Sequence, residues 1–137
     1  MDLTVGYEEL QDYINKHYRK DLTFSKVSDK EICVTYKQGI LVGSVKIPLN
    51  ITFEEVKPQY VTVSYNGGFG VDMIISGVLA FVRSKNLELA AALIQEPGNR
   101  IRFVFANLKK AKEVLKYLEL RSITVEDNSL KISVSPK

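Results

Sequence analysis

Two hydrophobic periodicities divide the chain. Near the N-terminus Tyr7, Leu10, Ile14 and Tyr18 recur three or four residues apart and so share one face of a helix. Glu8 and Glu9 fall in its first turn and Lys16, Arg19 and Lys20 at its end, the charge order that suits a helix dipole. A short edge strand is expected ahead of it, at Leu3 to Val5. From Leu22 onward the spacing drops to two. Leu22 and Phe24 open a strand, Ser28-Asp29-Lys30 makes a turn, and Ile32, Val34 and Tyr36 alternate with Glu31, Cys33, Thr35 and Lys37. After Gln38-Gly39, the residues Leu41, Val45, Ile47, Leu49, Ile51 and Phe53 keep every-second-residue spacing over most of a long extended segment. Pro48 interrupts that segment. Because proline cannot donate a ladder hydrogen bond, an edge position, a bulge or a sharp bend is expected there. Lys57-Pro58 then turns the chain into Val61, Val63 and Tyr65, which alternate with Tyr60, Thr62 and Ser64 and complete a meander of antiparallel strands.

Asn66-Gly67-Gly68-Phe69-Gly70 ends the strand pattern and leads into a helix over Val71 to Val82. One face carries Val71, Ile74, Ile75, Val78, Leu79 and Val82. The opposite face is also apolar, with Met73, Gly77, Ala80 and Phe81, and leaves Asp72 and Ser76 as its polar residues. Such a helix has to be covered by protein, by a partner or by an apolar ligand. Over Leu87 to Ile94 the Leu and Ala content favours helix, whereas Pro97-Gly98-Asn99 followed by alternating Ile101, Phe103 and Phe105 suggests a hairpin, so a strand is expected. Asn107 is the expected N-cap of a helix reaching Tyr117, with Leu108, Ala111, Val114, Leu115 and Leu118 inward and four lysines outward. Ile123 and Val125, then Asp127-Asn128, then Leu130, Ile132 and Val134 form a closing hairpin. The expected fold is α+β in one domain over residues 1–137. A long curved antiparallel sheet packs against an N-terminal helix and a central apolar helix, with a C-terminal helix and β-hairpin.

Composition agrees with one folded domain: 45% of residues are hydrophobic, 26% are charged and only four are proline. Cys33 is the single cysteine. An intramolecular disulfide is therefore excluded, and a reducing, cytoplasmic setting is expected. No basic stretch followed by an apolar one marks a leader at the N-terminus. The uncharged run from Met73 to Val82 is ten residues long, about half of a bilayer span. Nineteen Lys and Arg against sixteen Asp and Glu leave a net charge of +3, too little to argue for a specific nucleic-acid partner.

Candidate chemistry is sparse, and no enzyme, metal or cofactor is expected. His17, the single histidine, sits beside Lys16, Tyr18 and Arg19 where a solvated imidazole at a helix end is the ordinary role. Cys33 lies in a strand opposite the Ile32 and Val34 face. There is no histidine pair, Cys-x-x-Cys or calcium-type loop. Asp29, Glu31, Glu54, Glu55, Glu96, Glu126 and Asp127 fall at turns or on solvent faces. Gly67-Gly68-Phe69-Gly70 lacks the dinucleotide spacing and the P-loop ending, and Asp72 would repel an anion. Arg100 and Arg102 alternate on one strand ahead of Lys109, Lys110, Lys112 and Lys116. If those faces coincide, they form a basic patch for an anion or a lipid headgroup.

Three stretches share a pattern with a known family. Gly43-Ser-Val-Lys-Ile-Pro-Leu-Asn-Ile-Thr-Phe53 is a strand segment with an internal proline, Gly68-Phe-Gly-Val71 runs into an apolar helix, and Leu118 to Val134 is a closing hairpin. The chain in these stretches resembles the small bacterial members of the tubular lipid-binding superfamily. That resemblance implies a groove between a long helix and a coiled sheet that holds acyl chains, with lipid or another apolar small molecule as ligand. Val45, Ile47, Ile51, Phe53, Met73, Ile74, Ile75, Gly77, Val78 and Phe81 would line it, and Arg100 and Arg102 would meet the headgroup. Peripheral contact with an anionic membrane would accompany it. The alternative expectation is a protein-interaction or dimerisation module, a homodimer in the simplest case, that uses helix 71–82 without catalysis.

Overall fold

The computed structural model describes residues 1–39, 42–68 and 70–137. Leu41 and Phe69, both part of the sequence patterns above, lie outside the described residues. In chain order the elements are β1 (Asp2–Gly6), α1 (Tyr7–Tyr18), β2 (Asp21–Ser28), β3 (Glu31–Gly39), β4 (Ser44–Val56), β5 (Val61–Gly67), α2 (Val71–Lys85), α3 (Leu87–Ala92), β6 (Leu93–Glu96), β7 (Arg100–Phe103), α4 (Lys109–Val114), β8 (Leu118–Val125) and β9 (Ser129–Pro136). The α+β class follows, with the strands shared between two antiparallel sheets. Six strands run in the order β2-β3-β4-β5-β7-β6, and three in the order β1-β9-β8.

The period-two pattern sets the register. Val34 stands opposite Leu49, Ile32 opposite Ile51, Ile51 opposite Tyr65, and Val63 opposite Ile101. One face of the six-stranded sheet is therefore apolar across its width, and the other carries Thr35, Asn50, Thr52, Thr62 and Ser64. Two clusters fill the apolar side. Under α2 lie Leu49, Tyr65, Val71, Ile75 and Leu79. Under α1 and the small sheet lie Tyr7, Ile32, Val34 and Val125, and the half-buried Ile51 packs against both groups. Tyr7 ties the small sheet to α1: its hydroxyl donates to Glu126 O at 2.6 Å and its amide to Asn128 O at 3.0 Å. Burial first, then Asp127 and Glu126, hold the Tyr7 phenol above the usual tyrosine range.

Pro48 sits where it costs no ladder bond. It pairs with Thr35 of β3, whereas pairing with β5 begins only at Leu49 opposite Gly67. The proline thus occupies a local edge of a central strand. On the other sheet margin, β2 leaves amides pointing outward, and Gln11 of α1 caps one of them, its Oε1 accepting from Phe24 N at 2.9 Å.

Two stretches depart from the sequence expectation. Leu87–Ala92 is helix α3, and only Leu93–Glu96 is strand. Asn86 caps the helix, its side chain accepting from Leu89 N at 3.0 Å; that cap followed by the Leu- and Ala-rich run outweighs the strand signal of the following hairpin. The helix expected from Asn107 to Tyr117 is shorter. Phe105–Asn107 form a 3₁₀ turn, α4 spans Lys109–Val114, and Leu108 rather than Asn107 occupies the N-cap with no side-chain bond. Phe105 accordingly leaves the strand alternation of Ile101 and Phe103. The Pro97-Gly98-Asn99 turn does form, with Gly98 at φ +80° and Asn99 at φ 56°.

Candidate functional site

The feature that most needs an explanation is α2. It leaves β5 through a glycine-rich turn in which Gly70, at φ +92°, takes the left-handed conformation that side chains resist. Gly67 is needed for another reason: a Cβ there would collide with the Val71 side chain and stand 3.0 Å from Pro48 O. This close approach presses the first turn of α2 onto β4. Val71, Ile75 and Leu79, four residues apart, then lie buried on the sheet.

The rest of the helix is less covered. Met73 is 79% exposed and Val78 52%, Ala80 is exposed, and nothing lies within 4 Å of a Cβ built on Gly77. Phe81 is half-buried because α1 reaches it. The Tyr18 ring meets it edge-on at 5.8 Å between centroids, and the Lys20 and Lys85 ammoniums stand 5.2 and 6.0 Å from its centre. At 100° per residue, Ala80, Met73, Gly77, Phe81, Ile74 and Val78 fall on one arc, apolar over its first three turns and entered by Ser84 and Lys85 only in the last. Asp72, Ser76 and Arg83 form the narrow polar stripe between that arc and the buried face.

The residues expected to line a groove are divided among four places. Ile75 is core beneath α2, packed with Leu49 and Tyr65. Ile51 and Phe53 pack into the cluster under α1. Met73, Gly77 and Val78 lie on the uncovered side of α2, flanked by half-buried Ile74 and Phe81. Val45, 41% exposed, and half-buried Ile47 belong to the free end of the β3–β4 hairpin. Val78 is the one member of the expected inward face that packing leaves largely open.

Arg100 and Arg102 lie on the other side of the sheet. Ile101 between them packs against the cluster under α2, so strand alternation directs both guanidiniums to the opposite face. There Arg102 stacks over the Tyr60 ring at 4.5 Å and pairs with Glu96 at 3.5 Å. The Tyr60 hydroxyl donates to Glu55 Oε1 at 2.6 Å, and Ser64 Oγ donates to Glu54 Oε1 at 2.7 Å. The Tyr60 hydrogen bond holds the Glu55 carboxyl below its usual range, and the same bond raises the Tyr60 phenol. Near neutrality this pair is therefore locked as carboxylate and phenol, which does not suit it to proton transfer. Thr62 stands between Glu55 and Arg102 in the register, fully buried, with its hydroxyl unpartnered. By sequence alone Glu54 and Glu55 fall at a turn or on a solvent face. Only strand pairing reveals that they share a face with the arginines.

An open pocket of about 400 Å³ lies at the start of α2, lined by Asn66, Val71, Asp72, Met73, Asn99 and the intervening glycines. Asp72 makes it unsuited to an anion. Among the described residues no group of His, Cys, Asp and Glu side chains has a metal-holding arrangement, and no helix is long and apolar enough to cross a membrane. No family model, curated protein or solved structure matches the chain.

Proposed function

We propose that the chain is an interaction module that pairs with a second copy of itself through the outward apolar arc of α2. The observation that carries this is the arc of Met73, Gly77, Val78 and Ala80, open to solvent on a helix whose other side is anchored in the core. The surface area supports it. The chain exposes 9124 Å², whereas a folded monomer of its mass exposes about 7,200 Å². The excess exceeds the roughly 800 Å² per partner that a standard interface removes.

Shape and the helix dipole favour a twin as the occupant. A two-fold contact must be self-complementary. Two α2 helices can cross antiparallel about Gly77, and the polar stripe of Asp72, Ser76 and Arg83, which points away from that crossing, stays in solvent. Gly77 at the centre lets the two backbones approach closely. The antiparallel order also sets each helix's positive end against its partner's negative end.

Light scattering over a concentration series tests this: mass should rise toward that of a dimer, and Gly77→Glu should return it to the monomer with an unchanged circular dichroism spectrum. A monomer at every concentration would overturn it. The tubular lipid-binding alternative draws on the same arc but has less support, because Leu49, Tyr65, Ile75 and Leu79 occupy the space between helix and sheet. Lipid carried through purification, seen by native mass spectrometry and lost on Phe81→Asp, would favour it instead.

A further inference from the structure

One segment near the C-terminus carries a marked surplus of positive charge. Residues 104–117 hold four lysines and Glu113, a surplus of +3 equal to that of the whole protein, which leaves fifteen basic and fifteen acidic residues elsewhere. In the fold this segment is the 3₁₀ turn, α4 and the turn into β8. Leu108, Ala111 and Leu115 are half-buried, whereas Lys109, Lys110, Lys112 and Lys116 are all exposed. Among the described residues none of the four has a carboxylate within 4.0 Å. A solvated helix face of the ordinary kind alternates its lysines with glutamates three or four residues away. Here Glu113, and Glu88 reaching the helix start, face four cations.

The same face also exposes apolar side chains. Val114 is 54% and Tyr117 73% exposed. Leu87, 81% exposed, lies beside the start of α4, where the adjacent Glu88 accepts from Lys109 N at 2.6 Å. Lysines that reach outward around a tyrosine and aliphatic tips match the layering of a bilayer interface, where ammoniums meet headgroup phosphates while apolar tips enter the acyl boundary. A nucleic-acid surface would use the lysines but offers nothing to Val114 or Leu87.

We infer that the α4 face, with Leu87, Val114 and Tyr117 at its surface, docks the protein peripherally on membranes rich in anionic phospholipid. This surface is separate from the α2 arc and from the arginines of β7. The test is co-sedimentation with vesicles of phosphatidylcholine, alone or containing about one-third phosphatidylserine. Binding is expected only to the anionic vesicles and should weaken as salt rises. Each lysine near the surface contributes on the order of fivefold, so Lys110→Glu with Lys112→Glu should lower the partition coefficient by roughly 25-fold or more. Val114→Ser with Tyr117→Ser should also lower it while leaving the charge and the circular dichroism unchanged. Equal binding to neutral and anionic vesicles, or no effect of the lysine pair, would overturn the inference. So would a gel-shift of single-stranded RNA abolished by the lysine pair with no vesicle binding, which would assign the face to nucleic acid.

Discussion

Gly77 stands at the middle of α2, where its conformation is helical and a Cβ would meet nothing within 4 Å. In the isolated fold the position therefore gains from alanine, which loses less chain entropy on folding and clashes with nothing. Gly77→Ala should stabilise by about 0.5–1 kcal/mol. With an unfolding entropy of about 2.1 cal/mol/K per residue over this chain, that is roughly 2–3 °C in Tm. The measurement belongs in a Met73→Asp background, where the outward arc carries a charge and the chain stays monomeric. In the unmodified chain the sign of the effect on association should be opposite. A methyl at the crossing point of two helices separates their backbones, so Gly77→Ala should shift the monomer–dimer midpoint in light scattering to higher concentration. A lowered Tm in the monomeric background would refute the reasoning, because it would mean that something within the fold already fills the space beside Gly77.

Ile75→Ala should cost about 2–5 kcal/mol, since Ile75 is buried against Leu49, Tyr65 and Leu79, whereas Met73→Ala two residues away should leave the monomer's urea midpoint nearly unchanged; similar losses at both positions would show that the helix faces are misassigned. Thr62→Val should raise stability by about 1–2 kcal/mol, because it replaces a fully buried hydroxyl without a partner by a methyl, and a loss in urea denaturation would reveal a hydrogen bond at that hydroxyl. The Tyr60–Glu55 bond should give a pH-dependent contribution with two limits. The lowered Glu55 pKa makes it vanish as pH falls through the folded-state carboxyl value, and the raised Tyr60 pKa makes it vanish as pH rises through the folded-state phenol value. The Tm difference between the natural chain and Tyr60→Phe should accordingly be largest between those limits, and a difference constant with pH would count against the bond.

What the sequence by itself determined was local. Alternation placed Ile32, Val34, Leu49, Ile51 and Tyr65 on one sheet face, and helical spacing placed Val71, Ile75 and Leu79 on another, because side-chain direction follows directly from backbone period. Turn chemistry located the hairpins at Asp29-Lys30, Gly98-Asn99 and Asp127-Asn128. Helical spacing also identified α2 as apolar on both sides. The weak-signal stretches were decided otherwise. Residues 87–92 became helix once Asn86 capped them, and the helix expected at 107–117 shrank to six residues between a 3₁₀ turn and a strand. Only the tertiary structure could separate β1, β8 and β9 into their own sheet, set Arg100 and Arg102 on the face away from α2, and show which flank of α2 the sheet and α1 leave open. Those outcomes depend on pairing between residues far apart in the chain, such as Asp2 with Ser133 and Thr62 with Arg102. Periodicity says that an apolar face must be covered, and the packing of distant elements decides which part of it remains for a partner.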